Sequence, residues 1–194
     1  MSKKSKITII SLAAAVLIGG AVFLWKSDFN KTKEVGLQNS PKSDLNGFKT
    51  YTHPGYGFSF DYPGGWNVSS FAEGEGEVVL IQPVRSQPSG TAAVPPVAER
   101  TSNGLQIYIS MFDEEETSLT KERILADIPD MLIENDKQIK IANAIDALSF
   151  DSANEAGDKT KEVWFVYNSF LYQITAAAGS EATLNTIIQT WSYQ

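Results

Sequence analysis

The stretch that most constrains the fold is Tyr51 to Val68, YTHPGYGFSFDYPGGWNV. Phe58, Phe60 and Tyr62 alternate with Ser59 and Asp61. That is the period of a strand with one buried face. Pro63-Gly64-Gly65 then ends the alternation. Proline presets φ for a turn, and glycine tolerates the positive φ that often comes next. Trp66, Val68 and Ser70 begin a second alternation, and His53-Pro54-Gly55 marks an earlier break. The stretch predicts a β-hairpin with aromatics pinned beneath it.

The motif Gly57-Phe58-Ser59-Phe60-Asp61-Tyr62-Pro63, followed by Trp66-Asn67-Val68, resembles the opening of PsbP-like domains. That group includes the photosystem accessory protein PsbP and bacterial extracytoplasmic relatives of the DcrB type. The resemblance runs from about Tyr51 to the C-terminus. The Pro/Ser-rich insertion after Gln82 is longer than the family pattern, and nothing marks the chain as a photosystem subunit. The resemblance implies an α/β/α sandwich around an antiparallel sheet. It also implies a domain that docks to other proteins and has no shared active site.

Further strands come after the opening. Val78 to Ile81 is apolar on both faces, which predicts an interior strand covered on each side. Residues 83–104 read as a long loop with no period. Leu105, Ile107, Ile109 and Met111 alternate as another strand. Ile124, Leu125, Ile128, Met131 and Leu132 then fall on one helical stripe, with Ser118 or Thr120 as cap. Pro129 should kink or divide that helix. Ile139 and Ile141 start a short strand, Asn143-Ala144 shifts its phase, and Ile145 to Phe150 continues. Val163 to Tyr167 turns through Asn168-Ser169 into Phe170, Tyr172 and Ile174. A last helix, capped by Ser180, carries Leu184, Ile187, Ile188 and Trp191 on one face. The fold class is therefore α+β, an antiparallel sheet with helices on both faces. Phe58, Phe60, Trp164 and Leu184 are expected to share one interior, with Trp66, Trp164 and Trp191 as core anchors.

The amino-terminal part differs in character. Residues 1–6 form a basic tail with Lys3, Lys4 and Lys6, expected in the cytoplasm. Next comes an uncharged run from Ile7 to Trp25. Nineteen helical residues rise about 28 Å, close to the hydrocarbon core of a bilayer. Trp25 suits the interface, and the lysines favour a cytoplasmic amino terminus. The run reads as a single-pass transmembrane anchor, with a cleaved signal peptide as the alternative. Either one exports the rest of the chain. Residues 26–47 read as a flexible linker, and 48–194 as the extracytoplasmic domain.

Charge obeys the same division. Residues 1–47 hold seven lysines against three acidic residues, a net +4. Residues 48–194 hold nine basic and twenty acidic residues, a net −11. An acidic domain repels phosphate backbones, so no nucleic-acid partner is expected. The chain has no cysteine, which removes disulfides, thiol catalysis and thiolate metal sites.

Candidate chemistry is sparse. His53 is the only histidine, too few for a two-histidine metal site. It reads as a turn residue before Pro54. No G-x-S-x-G elbow is present. Asp113, Glu114, Glu115 and Glu116 favour a helix start and solubility, or else hold a cation or a basic partner. Asp151, Asn154, Glu155 and Asp158 lack the spacing of a calcium loop and read as a hairpin loop. Asn67-Val68-Ser69 matches a glycosylation pattern but sits in a predicted strand. The resulting expectation is a membrane-anchored, extracytoplasmic binding or accessory domain. It is non-enzymatic, takes no cofactor or metal, and docks to another envelope protein through Asp113 to Glu116 and the 83–104 loop. An envelope hydrolase or metal-dependent enzyme using clustered carboxylates is the alternative, with a purely structural envelope protein as a third reading.

Overall fold

A computed structural model describes residues 47–84, 104–142, 144–154 and 156–193. The predicted tail, the anchor and almost all of the linker lie outside these residues, as does most of the 83–104 loop. Among the described residues no helix is long and apolar enough to cross a membrane.

Two antiparallel sheets make the domain. The smaller has three strands: β1 (Phe48–Thr52), β2 (Phe58–Pro63) and, near the carboxy terminus, β10 (Ser192–Tyr193), in the order β1-β2-β10. The larger has seven: β3 (Trp66–Glu73), β4 (Gly76–Pro83), β5 (Leu105–Met111), β6 (Glu134–Ile141), β7 (Ile145–Ala153), β8 (Lys159–Tyr167) and β9 (Phe170–Ala177). Their order is β3-β4-β5-β9-β8-β7-β6. Two short helices, α1 (Lys121–Asp127) and α2 (Glu181–Thr190), complete the described chain.

The opening stretch corrects the hairpin expectation. β2 and β3 are not paired: β2 lies between β1 and β10, whereas β3 pairs with β4. The hairpin actually formed is β1–β2, closed around His53 to Gly57 with Thr52 opposite Ser59. Pro63-Gly64-Gly65 instead carries the chain from one sheet to the other. Gly64 N–H donates to the Gly47 carbonyl at 2.6 Å, and the Gly65 carbonyl accepts from Val84 N–H at 2.9 Å. Neither glycine has positive φ. Gly64 is required by proximity, since a Cβ there would lie 2.8 Å from the Gly47 carbonyl oxygen.

Strand alternation then builds two cores on opposite faces of the large sheet. Val163 and Phe165 of β8 join Tyr172, Ile174 and Ala176 of β9 under the small sheet and α2, with Phe58, Phe60, Leu184, Ile187 and Trp191. Trp164 and Val166 point the other way, to Phe150, Leu171, Phe112 and Ile124 beneath α1. Phe58, Phe60 and Leu184 therefore share an interior, but Trp164 does not. It anchors the second core, while Trp191 anchors the first and Trp66 packs at its margin. Each face has helical cover, but one helix only, and on the first face the small sheet shares the work.

Local signals explain the helices. Thr120 caps α1, accepting from Arg123 N–H. The helix stops at Asp127, two residues before Pro129, so the proline terminates it instead of kinking it. Leu132 consequently falls outside the stripe and is exposed. Ser180 occupies the cap position of α2, but its hydroxyl makes no cap bond there. It accepts from Gly104 N–H at 3.0 Å instead, tying the helix to the start of β5. Asn168 and Ser169 both have positive φ (48° and 62°), the two-residue turn that matches strand twist.

The inter-sheet step yields a paired test. Gly64→Ala should destabilise the domain by about 1–3 kcal/mol, the usual cost of overpacking. Gly65→Ala, whose Cβ would meet nothing within 4 Å, should cost well under that. Urea unfolding of both variants measures the difference, and equal losses would contradict the close-approach explanation.

Candidate functional site

The acidic run leaves the end of β5. Phe112 is buried and its N–H donates to the Ser169 carbonyl, so the run starts beside the β8–β9 turn. Arg123 organises it from α1. Its guanidinium pairs with the Glu114 carboxylate and lies 5.1 Å from the centre of the Phe112 ring. It also donates to the Glu116 and Ser118 carbonyls, the latter at 3.0 Å. Glu114 is thus half-buried and engaged in holding the segment to the helix. Asp113, Glu115 and Glu116 are exposed. The four carboxylates do not converge, and no group of three or more metal-type side chains gathers among the described residues.

Register brings further acids to the same end of the sheet. Glu77 of β4 lies opposite Ile109 of β5, so the β3–β4 turn with Glu73 and Glu75 stands beside the strand that feeds the run. Burial raises the Tyr108 hydroxyl above its ordinary pKa, and the charges of Glu73 and Glu75 push it the same way. The β1–β2 turn lies there too. His53 is buried, its Nε2 is 3.0 Å from Glu77, and its Nδ1 accepts from Gly55 and Tyr56 N–H at 3.1 and 3.2 Å. An acceptor Nδ1 leaves the ring proton on Nε2, which donates to Glu77. His53 is therefore the turn residue expected, with its capacity for hydrogen bonds used in folding. Nothing in the sequence marks Glu73 and Glu75 as neighbours of 113–116; strand order alone brings them to the same end.

The other oxygen-rich segment lies elsewhere. Asp151 lies in β7, and Asn154 and Asp158 lie between β7 and β8, at the end where Ala153 faces Lys159; Glu155 lies outside the described residues. The acidic run lies at the end where Tyr167 faces Phe170. Eight residues of β8 separate them, about 26 Å, so the two sets cannot share a reacting centre. Asn154 and Asp158 bond to each other: Asp158 N–H donates to Asn154 Oδ1 at 2.8 Å, and Asn154 N–H to the Asp158 carbonyl at 2.9 Å. Hydrogen bonds from Lys161 and then Asn135 hold Asp151 below the usual carboxylate range.

One buried carboxyl has no counterpart among the sequence expectations. Glu162 of β8 is 4% exposed, on the α1 face. Thr160 Oγ1 lies 2.8 Å from Oε1; Thr175 Oγ1 and the Trp164 indole N–H approach Oε2 at 2.8 and 3.2 Å. No ion pair accompanies Glu162 among the described residues. Burial pushes its pKa up, and the three hydrogen bonds oppose that push only in part. The sequence signal was a carboxylate in phase with Thr160 and Trp164, hidden by the apolar run directly after it.

Burial of Glu162 gives a pH dependence with a definite sign. A carboxyl whose folded pKa is raised favours the folded state fully below its unfolded pKa, near 4.5. That contribution is lost as pH rises through the folded value. Glu162→Gln preserves the acceptor toward Trp164 and turns its amide toward Thr160, with no charge to bury. The variant should match the parent near pH 4 and exceed it in stability at pH 7 to 8, by about 1.4 kcal/mol for each pKa unit of displacement. Chemical unfolding across that range checks it, and a variant less stable at pH 8 would reverse the assignment.

The chain is similar to known proteins. The profile of a family described as PsbP-like protein matches residues 8–192. The solution structure of cyanobacterial PsbP (CyanoP) from Synechocystis sp. PCC 6803 is similar with a TM-score of 0.51 and 12% identity, over 81% of this chain and 99% of that one. At that identity the likeness concerns the fold alone. A crystal structure of a protein from Bacteroides thetaiotaomicron VPI-5482 gives a TM-score of 0.42 and 19% identity, over 75% of this chain and 48% of that one. No curated protein matches the chain.

Proposed function

The chain belongs to the PsbP-like family, and from that premise we propose that it is a membrane-tethered, extracytoplasmic accessory domain that docks to a basic surface of another envelope protein. Family membership supports a non-enzymatic binding or accessory domain at the coarse level. The finer reading rests chiefly on one observation. The strand register gathers Glu73, Glu75 and Asp113 to Glu116 at a single end of the large sheet. Side chains of one sign on neighbouring turns raise the local potential, steering an oppositely charged partner toward that end.

Polarity of the domain favours the same reading. The linker enters at Phe48, the end of β1 remote from the His53 turn. The His53 turn stands at the acidic end, through its bond to Glu77. A tether at one end and the acidic turns at the other leave those turns free to meet a partner. The anchor at 7–25, the cytoplasmic tail and the export of the domain belong to this proposal on the strength of the sequence. So does a contribution from the 83–104 loop, most of which lies outside the described residues. The alternative of an envelope enzyme gains no support from carboxylates held about 26 Å apart.

A photo-reactive residue in place of Glu115, in the full chain in intact cells, tests the docking. It should give one discrete adduct. The adduct should fall at least tenfold when Glu73, Glu75 and Glu116 are all changed to Lys. Glu114 stays intact, so that its pairing with Arg123 survives. No adduct, or one indifferent to the reversal, would dismiss this end as the docking surface. The mass of the mature amino terminus separates an uncleaved anchor from a cleaved signal.

A further inference from the structure

We propose that the outer edge of β3 is an interface between two copies of this chain, paired strand to strand and antiparallel about a two-fold axis. A sheet edge exposes backbone donors and acceptors that pair readily with another strand, and proteins usually guard it with charge, proline or a bulge. Among the described residues, the large sheet has one guarded edge and one open edge.

The guarded edge is β6. Four of its eight residues, Glu134, Asp136, Lys137 and Lys140, are charged. Its register shifts between Glu134 and Lys137, and Asn135 takes a positive φ of 50°. Each feature obstructs a new ladder. The open edge is β3. From Trp66 to Ala72 it has no charge and no proline. All eight of its residues keep unbroken register with β4. Ser69, Ser70, Phe71 and Ala72 are exposed, Phe71 at 46%. In the small sheet the outer strand β1 is only five residues long and carries Lys49.

Charge decides the occupant and its direction. Residues 48–194 carry a net −11, so most ways of joining two copies bring acids together. This edge is acidic at one end only, at Glu73 and Glu75, while the other end begins after Gly64-Gly65. A parallel pair would set Glu73 beside Glu73. An antiparallel pair centred near Ser69 sets each Glu73 beside the uncharged start of the other strand. The two Glu73 residues are then eight residues apart, roughly 27 Å, well beyond the screening length of about 8 Å at physiological salt. A two-fold axis perpendicular to the sheet also preserves its faces. Asn67, Ser69 and Phe71 of both copies lie on one face, and Trp66 and Val68 on the other. The edge is thus complementary to itself.

The absence of cysteine makes the test direct. Ser69→Cys, placed in the full chain and oxidised in cells, should give a disulfide-linked band of twice the chain mass. Phe71→Cys, whose two copies would lie four residues apart, roughly 14 Å and beyond disulfide reach, should give at least tenfold less, as should Lys140→Cys on the guarded edge. Adding Asn67→Lys and Phe71→Lys to Ser69→Cys sets like charges directly opposite one another on both sides of the axis and should abolish the band without lowering the unfolding midpoint. No double-mass band from Ser69→Cys would overturn the proposal. So would an equal band from Phe71→Cys or Lys140→Cys, a band that survives the added lysines, or an adduct of another mass.

Discussion

Trp191 is wedged between the two sheets, and the domain depends on that contact. Its ring stacks on Phe58 with centroids 4.5 Å apart and on Phe60 at 5.6 Å. It meets Phe165 of the large sheet edge-on at 5.4 Å. Phe165 in turn stacks on Tyr172 at 4.8 Å. Aromatic pairs add about 0.5–1.5 kcal/mol each beyond the area they bury. The same residue ends α2 and leads into β10, so one side chain joins helix, small sheet and large sheet. The short β10 pairs only Ser192 with Ser59 and Tyr193 with Phe58. Two residues of ladder hold a strand in place because the rings beneath them are already packed.

Most strands were legible because alternation reports burial directly. Phe58, Phe60 and Tyr62 face one core, and the both-faced runs at Val78 and Val163 lie inside the large sheet, as their composition implied. What the sequence did not carry was pairing. A turn flanked by two alternations looks the same whether its strands pair or part. At Pro63-Gly64-Gly65 they part, with Gly64 N–H bonded to the Gly47 carbonyl and the Gly65 carbonyl to Val84 N–H. Trp164 lies in the second core and not with Phe58 for a related reason. In a strand apolar on both faces, period alone does not say which neighbour shares which core. The helical period runs on past Pro129 through Met131 and Leu132, but the backbone of α1 ends at Asp127, with Ile128 as its C-cap.

At the candidate site, residue types were visible and their grouping was not. The 113–116 run stood out as charge, but its meeting with Glu73 and Glu75 depends on β4 pairing with β5 across the long 83–104 connection. In the sequence Arg123 is one charged residue of the predicted helix. It proves to be the clamp that occupies Glu114 and leaves Glu115 and Glu116 outward. Glu162 lay at the start of an apolar strand, where a charge usually marks the solvent edge. Here Thr160, Thr175 and Trp164 supply the hydrogen bonds that make burial tolerable.

The small sheet joins the first described strand to the last. β2 has β1 on one side and, more than a hundred residues later in the chain, β10 on the other. Contacts between such distant parts of a sequence close late, after the entropy of the intervening loop has been met. A polypeptide made from its amino terminus onward therefore keeps Phe58 and Phe60 without their stacking partner until Trp191 has been synthesised. The first core stays open until that point of synthesis, and over the same interval its exposed rings need protection from aggregation.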